Sequence, residues 1–193
     1  MSPRSEATLY KRFRRNIVLQ RVRAVRKYLQ RPRSAGEIVR LHGLPTSPLQ
    51  DAVHTDNAAV VHMLMLCGVA AACTGLKGVM PLLNQAIQNG QFLVACTMVH
   101  ASADLDAVGS DGATALHETL RVFRSTDSQD VRVQALIMAD MLVFNGARTD
   151  VCDMSGHSVR SILAGAPNQE GFSLFKETML QHQWKGCPRQ VQA

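Results

Sequence analysis

PLLNQAIQNGQ, from Pro81 to Gln91, and DGATALHETL, from Asp111 to Leu120, are two writings of one short pattern. Each is followed by a second matching piece: MVHASADLDA from Met98 to Ala107, and LVFNGARTDV from Leu142 to Val151. Pro81 and Thr114 occupy equivalent places 33 residues apart. A fixed period of that length marks one supersecondary unit repeated along the chain. No catalytic motif requires it, so function is expected on the surface rather than in a reaction center.

The pattern extends in both directions. Upstream, Ser47, Pro48, Leu49 and Ala52 stand where a unit would open, and Val61, Leu64, Met65 and Gly68 stand where it would close. Downstream, Asp153, Gly156 and Ser158 repeat the turn, with Val159 and Arg160 in place of Pro-Leu. The opening Gly-x-Thr-x-Leu-His (Gly112 to His117) and the closing Leu-x-x-x-Gly-Ala (Leu142 to Ala147) resemble the ankyrin repeat, a β-turn followed by two antiparallel helices. The resemblance covers roughly residues 44 to 180. It implies an all-α chain, a short solenoid of helix-turn-helix units joined by β-hairpin loops. The units fall near 44–77, 78–110, 111–152 and 153–180, with the outer two degenerate. The repeat domain spans 41–180, preceded by a basic arm over 1–40 and followed by a tail over 181–193.

Each position has a physical reason. Gly112 and Gly156 permit the positive φ of a tight turn. Thr114 and His117 can satisfy donors left free at a helix start, and Gly68 and Gly146 are expected as left-handed caps. Ala52, Ala86 and Ala115 allow close helix approach, while Leu49, Leu64, Leu83, Met98, Leu116 and Leu142 supply the shared core. The third unit carries about a dozen additional residues between Leu120 and Leu142. They are polar at RSTDSQD, Arg124 to Asp130, then helical in spacing at Val131, Ala135, Met138, Met141 and Leu142. A lengthened connection projecting from one edge is expected there.

Composition fits one globular domain: 193 residues, 46% hydrophobic, 5% aromatic. Five cysteines (Cys67, Cys73, Cys96, Cys152 and Cys187) are an odd number without close pairing, which points to a reducing compartment, cytoplasm or nucleus. Cys67, Cys96 and Cys152 read as small buried hydrophobes. No signal peptide is read at the basic N-terminus. Ala58 to Cys73 is uncharged for sixteen residues but falls short of the ~20 that span a bilayer, and the repeat explains it as a buried second helix. The seven histidines form no His-x-x-x-His pair, and there is no Cys-x-x-Cys. His62, Cys67 and Cys73 are the nearest approach to a metal cluster. Asp104, Asp106 and Asp111 lack calcium-loop spacing and read as hairpin residues. With no phosphate-binding glycine loop and no Gly-x-Ser-x-Gly elbow, neither enzymatic activity nor a cofactor is expected.

Charge is unevenly placed. Residues 1–40 hold twelve basic against two acidic residues, net +10, and the rest nine against thirteen, net −4. Lys11, Arg12, Arg14, Arg15, Arg21, Arg23, Arg26 and Lys27 form the center of this arm. Val18, Val22, Val25 and Leu29 are spaced for one amphipathic helix over Leu9 to Gln30, stopped after Arg31 by Pro32. Four roles are open to it: a cap on the first unit, a split basic import signal read by an import receptor, a contact to nucleic acid, or a contact to anionic lipid. It has no interleaved aromatics for base stacking, and for a membrane its apolar face is narrow and lacks Trp.

The resemblance implies protein binding through the exposed first-helix positions and hairpin tips. The first-helix positions are Asp51, His54, Gln85, Gln88, Glu118 and Arg121. The tips are Lys77, Val108, Ser110, Asp111 and Met154. The expected function is a non-enzymatic adaptor or inhibitor, acting on a transcription or signalling factor as some short ankyrin proteins do. The alternatives are a substrate-recruiting subunit of a ubiquitin ligase, whose C-terminal box would lie in the tail from Phe172, and a tether to nucleic acid or anionic membrane through the arm.

Overall fold

In a computed structural model the structure describes residues 3–30, 47–67, 80–165, 173 and 175–177. The described helices are α1 (Pro3–Val18), α2 (Val22–Leu29), α3 (Pro48–His54), α4 (Ala58–Leu66), α5 (Leu82–Gln88), α6 (Phe92–His100), α7 (Ala115–Ser125), α8 (Gln129–Phe144) and α9 (Val159–Gly165). Among the described residues the only β pairing is an isolated antiparallel bridge between Cys152 and Ser158. Two compact units are formed, residues 1–77 with 93–103 and residues 78–92 with 104–193.

In the first unit, Ser47 caps α3 by accepting from Gln50 N at 3.1 Å, with Pro48 at the position where a missing N–H is harmless. Asn57 caps α4 through Val60 N at 3.1 Å. Between them Asp56 turns left-handed at φ 52, while Asp56 N donates to Val53 O and Asn57 N to Ala52 O. This is the Schellman closure, which satisfies the last helical carbonyls. It recurs at Ser102 after α6 and at Gln20 after α1, where Gln20 N donates to Ile17 O and Arg21 N to Asn16 O.

The recurrence at Gln20 shows what the N-terminal segment is. It is not one helix over Leu9 to Gln30. The chain reverses at Leu19 to Arg21, so the expected stripe is divided, with Val25 buried and Val18 54% exposed. Instead α1 buries Tyr10, Phe13 and Ile17 and packs on α3, and α2 packs on α4. Gln20 and Asp56 are 36 residues apart, and at that offset Phe13 matches Leu49, Ile17 matches Val53 and Val25 matches Val61. All six are at most 1% exposed. Phe13 also stacks on Tyr28 with ring centroids 4.3 Å apart. The basic segment therefore forms a further helix pair in phase with the first repeat. The expected stop at Pro32 lies outside the described residues.

In the second unit, α7 opens with a capping box: Thr114 Oγ1 lies 2.9 Å from His117 Nδ1, which accepts from Thr114 N at 3.2 Å. At the start of α9 Ser158 and Ser161 play the same two parts, each hydroxyl oxygen accepting from the other residue's backbone N–H. His117 Nε2 reaches the carbonyl oxygen of His157 at 3.1 Å. Asn84, 33 residues before His117, donates from Nδ2 to Ala113 O at 2.9 Å. An amide in the imidazole's place thus makes the corresponding bond. Schellman closures at Gly90 and Gly146 end α5 and α8; Gly68 lies outside the described residues.

The residues between Leu120 and Leu142 do not form a long loop. Helix α7 has 11 residues against 7 in α3 and α5, and α8 has 16 against 9 in α4 and α6. Only Thr126 to Ser128 connect them. The polar RSTDSQD stretch is helical at both ends because its side chains stand in solvent while Phe123 and Ala135 pack inward. Phe123 meets the buried Phe175 ring at 5.5 Å.

The six leucine and methionine positions expected in the core are all buried, as are the three alanines. The cysteines are not: Cys67, just past the end of α4, and Cys96, in the middle of α6, are half-buried, and Cys152, in a hairpin, is exposed. Burial raises the Cys67 and Cys96 thiol pKa values. No described helix is long and apolar enough to cross a membrane.

Candidate protein-binding surface

Two glycine-led turns of the second unit present the hairpin tips. In the first, Gly109 N donates to Ala113 O at 2.9 Å and Asp111 Oδ1 accepts from Ala113 N at 3.1 Å. In the second, Asp153 Oδ1 accepts from Ser155 N at 2.9 Å and His157 N at 3.0 Å. Gly112 and Gly156 both adopt φ 76. The two turns join through Met154 N, which donates to Asp111 O at 2.9 Å. The fit is close, since a Cβ on Gly112 would lie 2.8 Å from Met154 N and 3.1 Å from Asp153 Cα.

Beside them Arg121 Nη1 donates to Asp111 Oδ2 and to Glu118 Oε1, each at 2.7 Å. The guanidinium beside Asp111 holds that carboxyl below its usual range. Backbone donation, chiefly from His157, lowers the Asp153 value. Burial, partly offset by Arg121, raises the Glu118 value. The structure thus joins Asp111, Glu118, Arg121 and Met154 into one small site. Val108 and Met154 are exposed apolar tips, 51% and 80% accessible, and Ser110 is exposed beside Val108. Gln85 and Gln88 lie on α5, which packs against α7; Gln85 is half-buried and Gln88 exposed.

Two expected surface positions are internal. Glu118 is 1% exposed, on the inner side of α7, where Arg121 one turn on donates to it. Asp51 is 8% exposed, because α1 covers it: Arg14 Nε and Nη2 donate to its two carboxylate oxygens at 2.6 and 2.9 Å. This ion pair joins the arm to the first repeat, and only the 36-residue offset of Phe13 and Ile17 from Leu49 and Val53 could have exposed it in the sequence. His54, in the same unit, is exposed as expected. Lys77 lies outside the described residues. Tyr10, near Arg14 and Asp51, has a buried hydroxyl whose pKa burial raises.

No family model and no curated protein matches the chain. Among solved structures it is similar to EF0377, an ankyrin repeat protein, at 16% identity and TM-score 0.46, over 86% of this chain and 97% of that one. It is also similar to the ankyrin repeat domain of Bcl-3, a member of the IkappaB protein family, at 19% identity and TM-score 0.48, over 88% of this chain and 85% of that one. The Thr-x-x-His capping box, the bond from that histidine to the following hairpin, the left-handed glycine turns and the repeated helix pairs give the chain an ankyrin-repeat fold.

Proposed function

We propose that the chain is a non-enzymatic protein-binding adaptor or inhibitor, acting in the cytoplasm or nucleus on a transcription or signalling factor. The observation that carries this reading is the accessible Asp111–Arg121 pair, anchored from inside by the buried Glu118, beside the exposed apolar tips Val108 and Met154. Charged groups fixed by one another fit the polar rim of an interface, and exposed apolar tips fit its anchors. Asp111 and Asp153 outnumber the one arginine they neighbour, so a partner with basic or hydrogen-bonding groups is favored.

The test is affinity capture from cell extract with mass spectrometry, comparing the full chain with Val108→Asp/Met154→Asp. Deleting the N-terminal segment would be a poor comparison, since Phe13 and Ile17 belong to the core. A partner lost with the double variant but retained by Arg23→Gln supports the reading. An identical set of captured proteins from all three chains refutes it.

A further inference from the structure

From Thr8 to Gln30 the chain holds eight Lys and Arg and no Asp or Glu. Arg14 is committed to Asp51. The other seven, Lys11, Arg12, Arg15, Arg21, Arg23, Arg26 and Lys27, are all exposed. None of them is ion-paired among the described residues. At 3.6 residues per turn, Lys11, Arg12, Arg15, Val18 and Leu19 fall within an arc of about 120° at and just beyond α1. Phe13 and Ile17 lie on the opposite side, in the core. On α2, Arg23, Arg26 and Lys27 share an arc of about 100° away from the buried Val25. Val18 and Leu19, among these cations, are 54% and 46% exposed.

We propose that this face docks on an anionic lipid bilayer. The cations meet headgroup phosphates and carboxylates, and Val18 and Leu19 enter the boundary with the acyl chains. Packing on the repeats holds the basic side chains on ordered helices before any lipid is met, and clusters of four to eight Lys and Arg on such helices suit anionic headgroups. The two aliphatic residues favor a bilayer over nucleic acid. They gain from an apolar phase and nothing from a phosphate backbone. The aromatic rings that could stack on bases are engaged with each other, and Phe13 is fully buried.

Flotation of the full-length protein with phosphatidylcholine vesicles, with and without phosphatidylserine, tests this. Binding is expected only with phosphatidylserine. It should fall by about 100-fold or more in Arg12→Gln/Arg15→Gln/Arg23→Gln/Arg26→Gln, at roughly a kcal/mol per cation near the surface. It should fall by about 10-fold in Val18→Ser/Leu19→Ser. All six positions are exposed, and matching thermal unfolding would verify that the variants are folded. Failure to bind anionic vesicles overturns the proposal. So does binding that Val18→Ser/Leu19→Ser leaves unchanged, or tighter binding to a short DNA duplex at the same salt, which would assign the face to nucleic acid.

Discussion

The pair α1–α2 and the pair α7–α8 reach one design from opposite starting points. The first has neither a Thr-x-x-His box nor a glycine at its turn, yet it closes with the same two backbone bonds as α3 and α5 and buries the same positions. The second carries the full opening motif and departs in length. Motif letters encode turns and caps, where one backbone conformation must be secured. The pair itself is encoded by apolar spacing, which many sequences can supply.

The comparison breaks most visibly in the core. Phe13 and Leu116 both lie one place before the position held by Asn84 and His117 in their pairs, and both are fully buried. If α1–α2 is a true member of the series, Phe13→Ala and Leu116→Ala should each destabilize by about 3–5 kcal/mol in urea unfolding. A loss under about 0.5 kcal/mol for Phe13→Ala would make the N-terminal pair an appendage.

Turns come next. Gly112→Ala places Cβ against backbone atoms and strains a residue at φ 76, so a loss of about 2 kcal/mol or more is expected. Gly90→Ala, at φ 72 with nothing within 4 Å, should cost only about 1 kcal/mol. Equal losses would mean that the hairpin approach at Met154 contributes nothing beyond the dihedral angle.

The smallest effect separates two carboxylates on Arg121, the buried Glu118 and the part-exposed Asp111. Glu118 has its folded pKa raised above the ordinary 4.5 by burial, so its contribution is full below that value and is lost as pH rises through the folded pKa. Asp111 runs the other way, stabilizing above its ordinary 3.8 and losing this as pH falls through its lowered folded value. Relative to Glu118→Gln, the wild type should therefore lose melting temperature as pH rises above the ordinary 4.5. A difference that grows with pH would show that Arg121 outweighs burial.

The repeats were legible because their signals are local. A 33-residue period, glycines at left-handed turns and small residues at close contacts each follow from one position and its neighbors. The N-terminal pair was not, because four valine and leucine residues in helical spacing continued across Gln20, where the backbone reverses without a glycine. Asp51 and Glu118 were misplaced for a shared reason. Charge suggested solvent, whereas a neighboring arginine in each case allows a carboxylate to lie inside.

The lengthened helices also set a rule of phase. The seven residues by which α8 exceeds α4 and α6 amount to nearly two whole turns, so Ala135 continues the buried row of Met138 and Leu142 rather than rotating away from it. Insertions and deletions there are quantized. Shortening α8 by seven residues would preserve its register, whereas removing five would swing the helix face by about 140° and drive polar side chains such as Gln134 toward the core.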